Sequence, residues 1–271
     1  MTTPEAGYLR WAMFDGRIAE AATLTVSPLA PGFMFGEGLF ETVRVRDARP
    51  VFLADHHARL SASLAILGAP PPSAHDGLQA KCLQMIAANS LTDGNLKIAV
   101  FRDISGWSEL ILARAGSYGP ELYERGFRLM TVTSGPRNAP LPALKSLNYL
   151  GNIRARRAAL AAGYNEAVFV DAQGHVLEGA TTNVFVVRDR VVWTPPLSRG
   201  ILPGVMRARV IRILEPAGFS ECDISPAALL EADEVFVTNA LLGIMPVGQV
   251  DQTAFDLGGN PVTRSLQERL G

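Results

Sequence analysis

The chain has 271 residues, 48% of them hydrophobic and 19% charged, and 25 Lys and Arg against 26 Asp and Glu give a formal net charge of −1. That length suits two modest domains or one large one, and so apolar a composition excludes a disordered chain. A balanced charge argues against nucleic acid or an acidic membrane surface as partner, because both demand a cationic face. Two cysteines, Cys82 and Cys222, can build neither a disulfide framework nor a four-thiolate zinc site, and read as small hydrophobes in a reducing compartment. The first residues lack the basic start and apolar run of a signal peptide, and no run approaches the roughly 20 apolar residues that span a bilayer. The expectation is a soluble cytoplasmic protein.

Hydrophobic periodicity predicts alternating strands and helices. Residues 40–45 (FETVRV) alternate like a half-buried strand, and residues 55–67 carry apolar positions at helical spacing behind Asp55 as candidate cap. Residues 96–101 and 108–113 read as two strands joined by the turn at 103–107, which completes a first domain over 1–115. Gly116, Gly119 and Pro120 mark 116–126 as a linker. The second domain, 127–271, opens with a strand at 127–132. A Pro-rich loop at 134–143 and an Ala/Arg-rich helix at 152–162 follow. Short strands come next at 166–171, 183–187 and 191–194, then a helix at 205–214 behind Pro203-Gly204 and a strand at 234–238. The fold class is α+β with two domains.

Several familiar constellations fail. Gly36-Glu37-Gly38 lacks the spacing of a dinucleotide or P-loop motif and reads as a tight turn. His56 and His57 are adjacent, so on a helix they diverge by about 100° and cannot share a metal, and none of the four histidines has ligand spacing. His175 reads as a turn residue. There is no Gly-x-Ser-x-Gly nucleophile elbow.

Other segments carry chemistry together that none carries alone. Lys145 lies between Leu144 and Leu147, where desolvation would lower its pKa and free the amine as a nucleophile; a lysine snorkelling at a helix start is the plainer alternative. Glu178, in LEGATTN, ends a strand and could keep a heterocyclic nitrogen protonated; an exposed loop glutamate would look the same. Pro203-Gly204 opens a helix whose first N–H groups form an anion site, and Thr238-Asn239 end a strand with a hydroxyl and an amide.

In this order, from FGEGLFETVRV to TNALLGIMPV, the segments resemble the fold-type IV pyridoxal-phosphate enzymes: branched-chain and D-amino-acid aminotransferases and 4-amino-4-deoxychorismate lyase. The resemblance implies pyridoxal 5′-phosphate as cofactor, bound between two domains of a homodimer, and a small-molecule substrate. It makes Lys145 the residue that joins the cofactor and moves the proton, and Glu178 the partner of the pyridine nitrogen. Arg59, Gly204, Val205, Met206, Thr238 and Asn239 surround the phosphate, Tyr149 approaches the phenolic oxygen, and Leu202 packs on the ring.

Met206 in Gly-Val-Met-Arg, the run TNALLGIMPV and Leu96-Lys97-Ile98 resemble the lyase, which forms 4-aminobenzoate and pyruvate; Thr42, Lys97 and Arg102 are then the substrate-side candidates. The lyase's Arg-Gly-x-Gly-x-Arg-Gly-Tyr run is missing, since Arg102 is followed by Asp-Ile-Ser-Gly-Trp. Amino transfer to a 2-keto acid, with Arg44, Arg102 or Lys97 on the substrate carboxylate, is the alternative.

Overall fold

The computed structural model describes residues 7–70, 72–133, 144–215 and 218–270. The chain divides into two compact units, Met1–Ser117 with Leu144–Asn148, and Tyr118–Ala143 with Tyr149–Gly271.

The first unit begins with β1 (Tyr8–Phe14), β2 (Arg17–Glu20), α1 (Pro31–Phe35), β3 (Gly38–Arg46) and β4 (Arg49–Pro50). It continues with α2 (Leu53–Ile66), α3 (His75–Ala88), β5 (Gly94–Arg102) and β6 (Trp107–Ala115). Its strands form one sheet in the order β2-β1-β6-β5-β3-β4. The ladder runs unbroken from Gly38↔Phe101 to Val45↔Gly94 and from Gly94↔Ala115 to Arg102↔Trp107. With side chains alternating between faces, Leu39, Val43, Leu96, Ile98 and Val100 share a core with Leu60 and Leu64 of α2 and Leu78 and Met85 of α3. Phe40, Thr42, Lys97 and Ala99 take the opposite face.

Two details of this unit depart from the sequence reading. Asp55 lies in the first turn of α2 rather than at its cap; the chain enters through Phe52, held at φ 56°. There Asp55 still favours the positive end of the helix dipole. Helix α3 was not anticipated, although its buried Leu78, Cys82, Met85 and Ile86 recur at helical spacing.

The second unit contains α4 (Pro120–Arg125), β7 (Phe127–Thr133), α5 (Leu150–Ala161), β8 (Glu166–Val170), β9 (Val176–Gly179), β10 (Asn183–Arg188) and β11 (Val191–Thr194). Then come α6 (Val205–Leu214), β12 (Phe219–Glu221), α7 (Pro226–Leu230), β13 (Glu234–Asn239), β14 (Gly243–Val250), β15 (Thr253–Ala254) and α8 (Pro261–Leu270). One nine-stranded sheet follows the order β12-β11-β10-β13-β14-β7-β8-β9, with β15 on β14. Phe185 and Phe236 face each other across the β10–β13 ladder, and their rings stack 4.8 Å apart. Val210 and Leu214 of α6 and Leu266 of α8 close over them.

The expected linker at 116–126 is not one: the boundary falls at 117/118, and Pro120–Arg125 is helix α4 of the second unit. Pro120 looks like a breaker, but at the first helical position its missing N–H costs nothing and its fixed φ starts the helix. The expected loop at 134–143 lies outside the described residues. Among the described residues, no helix is long and apolar enough to cross a membrane.

Candidate active site

In the first unit, the sheet edge beyond β3 is only partly filled, because β4 pairs only Val45 and Arg46. The segment 144–148 occupies the rest. Phe40 N–H donates to the Lys145 carbonyl at 2.8 Å, Leu147 N–H donates to the Gly38 carbonyl at 2.9 Å, and Leu39 and Ser146 form a bridge. These bonds assign Lys145 to the first unit, whereas the sequence placed it in the second. They also replace the helix-start alternative with an extended segment, since α5 begins only at Leu150.

The glycines of Phe-Gly-Glu-Gly make room for that segment. A Cβ on Gly38 would lie 2.7 Å from Leu147 Cδ1, and one on Gly36 would lie 2.4 Å from Asn148 Oδ1. Gly36 also ends α1 in the left-handed region, at φ 66°, where a Cβ is unfavourable.

The Lys145 ammonium stands 4.4 Å from the centre of the Phe40 ring, and Lys97 Nζ stands 4.7 Å from the same centre. Lys97 is the ladder partner of Thr42. Burial lowers the Lys97 pKa, and the nearby positive charge of Arg114 lowers it further. Two cations on one aromatic ring, on a sheet face that also carries Arg114, make this surface attractive to an anion.

Arg102 does not join them. It is five residues beyond Lys97 on a strand without a bulge, so it points to the other face of the sheet. Arg44 is engaged as well: it bonds Asp93 Oδ2 at 2.5 Å and the Gly94 carbonyl at 2.8 Å.

Behind Phe40, Glu41 faces α2. Its carboxylate accepts from Arg59 Nε at 2.8 Å, from Arg59 Nη2 at 2.5 Å and from His56 Nδ1 at 2.7 Å. Burial alone would raise the Glu41 pKa, but the hydrogen bonds from His56 and Arg59, with their charges, outweigh it and hold the carboxyl at about 2. Arg59 is thus oriented by a two-point fork on an ionised carboxylate. Sequence reasoning missed Glu41 and considered His56 only as a metal ligand, although His56 stands three residues before Arg59 and Glu41 lies within the strand pattern 40–45.

In the second unit, Glu178 ends β9 and is buried. Its Oε2 accepts from Leu202 N–H at 2.9 Å and from Asn183 Nδ2 at 3.3 Å, and Asn183 Nδ2 also donates to the Leu202 carbonyl at 2.9 Å. Tyr149 Oη and Asn152 Nδ2 both donate to the Ala180 carbonyl, at 3.0 and 2.8 Å. Behind the turn, buried Glu166 accepts from the Thr181 hydroxyl and, at 3.1 Å, from Thr181 N–H. Burial raises its pKa despite these bonds. The turn carrying Glu178 is therefore fixed on both sides, and an exposed loop glutamate is ruled out.

Helix α6 starts after Gly204, whose position offers no side-chain cap. Val205 and Met206 are buried, and the first N–H groups of any helix have no carbonyl partner within it. Asn183 lies opposite Thr238 in the β10–β13 ladder, and a Cβ on Gly204 would come within 2.0 Å of Asn183 Oδ1. Strand end and helix start thus converge. Thr238 Oγ1 is buried without a hydrogen-bond partner. An orphaned hydroxyl beside an uncapped helix start fits the oxygens of a phosphate monoester.

The Asn239 side chain is committed to its own turn. Its Oδ1 accepts from Leu241 and Leu242 N–H at 2.9 and 2.8 Å, and its Nδ2 donates to the Thr181 carbonyl at 3.2 Å. Both ends of the amide are spent on holding the following turn to Thr181. Among the described residues, no His, Cys, Asp or Glu cluster could hold a metal ion.

A family model described as amino-transferase class IV matches residues 38–250. The branched-chain-amino-acid aminotransferase of Escherichia coli K12 is 30% identical, over 99% of this chain and 93% of its own. The aminodeoxychorismate lyase of Bacillus subtilis 168 is also 30% identical, over 93% and 91%. The structure of the branched-chain aminotransferase of Thermoproteus uzoniensis with norvaline superimposes at TM-score 0.86 with 29% identity, covering 97% of this chain and 94% of that one.

The chain belongs to the class IV aminotransferases and has the fold-type IV architecture. Enzymes of this family use pyridoxal phosphate, and this chain is a pyridoxal-phosphate enzyme of the aminotransferase or lyase kind.

Proposed function

We propose that this enzyme is a lyase that converts 4-amino-4-deoxychorismate to 4-aminobenzoate and pyruvate. The observation that carries the reading is Lys97: a second, desolvated cation on the Phe40 ring beside Lys145, suited to a carboxylate of an anionic substrate. Met206 in Gly-Val-Met-Arg and the run after Thr238 support it, as does the identity to the Bacillus subtilis lyase.

Bound pyridoxal phosphate supplies an electron sink for negative charge at the carbon bearing the substrate's amino group. Lys145 Nζ holds the cofactor covalently and then, as a neutral amine, accepts the proton from that carbon. Glu178, held by Leu202 and Asn183, would keep the pyridine nitrogen protonated, and Tyr149 would serve the phenolic oxygen. Thr238 and the N–H groups of the α6 start would take the phosphate, a role the family resemblance also gives to Arg59, and Leu202 would pack on the ring. Thr42 and Lys97 face the substrate. The C–O bond to the ring breaks as the ring becomes aromatic, and the enolpyruvate released takes up the proton held on Lys145 Nζ to become pyruvate.

Amino transfer is the second reading. It is favoured by the β5–β6 turn, where Asp103 to Gly106 supply no arginine or tyrosine and Ile104 is exposed. The substrate would then be an α-amino acid with a single carboxylate.

A homodimer suits the exposed apolar group Leu29, Phe33, Met34 and Phe35, which a second copy would cover. Unpaired Cys82 and Cys222 suit the reducing cytoplasm.

The test is incubation of the pyridoxal-phosphate form with aminodeoxychorismate, D-alanine and L-leucine in turn. Release of 4-aminobenzoate, with the cofactor spectrum returning unchanged, is expected. Conversion to the pyridoxamine form by either amino acid, without 4-aminobenzoate from the first, assigns amino transfer instead.

A further inference from the structure

The second unit contains a cavity of about 270 Å³ between α4, the middle of β14 and α8. It lies near the start of β13, where Glu234 meets α8. Its lining includes none of the residues assigned to the phosphate: Thr238 and the start of α6 are absent from it.

An asparagine directly before a helix that opens with proline ordinarily caps it through its side chain. At α8 the cap is Glu234 instead. Its Oε1 accepts from Val262 N–H at 3.0 Å, and its Oε2 accepts from Thr263 N–H at 2.8 Å and the Thr263 hydroxyl at 2.6 Å. Asn260 is thereby released from capping. It is only 2% exposed, yet neither its Nδ2 nor its Oδ1 has a hydrogen-bond partner, and it lines the cavity. A buried amide left wholly unsatisfied is penalised, and native chains keep few of them.

The remaining lining says what would satisfy it. Arg264 brings a guanidinium, whose Nη2 donates to the Leu257 carbonyl at 3.0 Å and leaves its other N–H groups for a ligand, and Glu124 brings a carboxylate, while Pro246 and the Leu257 side chain offer an apolar wall. Gln267 is committed, its Nε2 donating to the Ile244 carbonyl at 3.0 Å. The amide can donate to a carboxylate and accept from an ammonium. One cation, one anion and one two-way amide around a small volume complement a zwitterion with a short apolar body.

We infer that this cavity is a second ligand site, for a small α-amino or α-imino acid, with Arg264 on its carboxylate, Glu124 on its ammonium and Asn260 bonding both. The inference does not depend on which reaction the active site performs.

L-proline and L-pipecolate are suitable probes, because a secondary amine cannot form a neutral imine with the cofactor. Thermal unfolding of the pyridoxal-phosphate enzyme is followed as each is titrated. Binding is expected to raise the midpoint with ligand concentration, by about 4 °C or more at a hundredfold excess over Kd. Cyclopentanecarboxylate and pyrrolidine, each lacking one charge, are expected to do nothing. Asn260→Leu and the exposed Arg264→Ala should abolish the shift, and Asn260→Leu should unfold no lower than the parent. The inference is overturned if neither imino acid shifts the midpoint, as when water alone fills the cavity. It is equally overturned if the shift survives in Arg264→Ala, or if cyclopentanecarboxylate reproduces it.

Discussion

Gly38 and Leu147 are in mutual van der Waals contact at a place where no side chain fits: a Cβ on Gly38 would stand 2.7 Å from Leu147 Cδ1. The same glycine accepts the Leu147 N–H through its carbonyl. This approach positions Lys145, two residues before Leu147, over the Phe40 ring. Gly38→Ala would push the lysine-bearing segment off the β3 edge, at a cost of about 1–3 kcal/mol of overpacking. Activity is expected to fall more than tenfold, with a lower melting temperature. Wild-type turnover in this variant would contradict the positioning.

Lys97→Met removes the second cation while keeping an unbranched side chain only one atom shorter. Loss of a charge-assisted bond worth about 1.5–3 kcal/mol lowers kcat/KM by about 10- to 100-fold. Because Lys97 is desolvated and its charge disfavoured, the variant should melt at or above the wild-type temperature. An unchanged kcat/KM for aminodeoxychorismate would remove Lys97 from the substrate side.

Glu41 gives the first unit a distinct acid profile. Its pKa is lowered from 4.5 to about 2 by His56 and Arg59, so its stabilising contribution is complete above 4.5 and is lost as pH falls toward 2. Glu41→Gln should therefore destabilise strongly at neutral pH and differ progressively less from wild type as pH drops through that window. Denaturant unfolding at several pH values reads the difference. A constant gap across the window would contradict the ionised pair.

Glu166 works in the opposite sense. Burial raises its pKa, so the folded state holds its proton more tightly than the unfolded chain and loses stability as pH rises above the ordinary carboxyl range. Glu166→Gln should be least different from wild type in acid and relatively more stable in alkali. A parallel pH dependence of the two proteins would count against the raised value.

Gly204→Ala places a Cβ 2.0 Å from Asn183 Oδ1, and Asn183 links Thr238 to Leu202 and Glu178. Pyridoxal-phosphate affinity, measured by absorbance titration of the apoenzyme, is expected to drop at least tenfold. An unaltered Kd would separate the α6 start from the phosphate.

Much of this was legible in the sequence. Helix 205–214 is observed with those bounds, because Pro203-Gly204 punctuates it and its apolar positions recur at helical spacing. Strands β3, β5 and β13 extend only one or two residues beyond the alternation that announced them at either end. The failures share a physical cause. Residues 144–148 belong to the first unit through two main-chain hydrogen bonds formed across about 100 residues of chain, and no local pattern encodes such a pairing. Asn239 looked like an anion ligand, yet its amide bonds its own turn, a use that Asn favours wherever a strand ends. Arg102 seemed to neighbour Lys97 in sequence, but an odd spacing on an uninterrupted strand sends it to the other face. Glu41 and Glu166 stayed hidden because a buried carboxylate is revealed by its partners rather than by its neighbours in sequence.

Lys145 is the proposed point of cofactor attachment and Lys97 its natural competitor, since both amines stand within 5 Å of the Phe40 ring centre. Borohydride reduction of the yellow enzyme, followed by peptide mass mapping, reads which lysine is joined to pyridoxal phosphate. The label is expected on Lys145 alone and is lost in Lys145→Ala. A label on Lys97, or stoichiometric labelling of Lys145→Ala, would contradict that attachment.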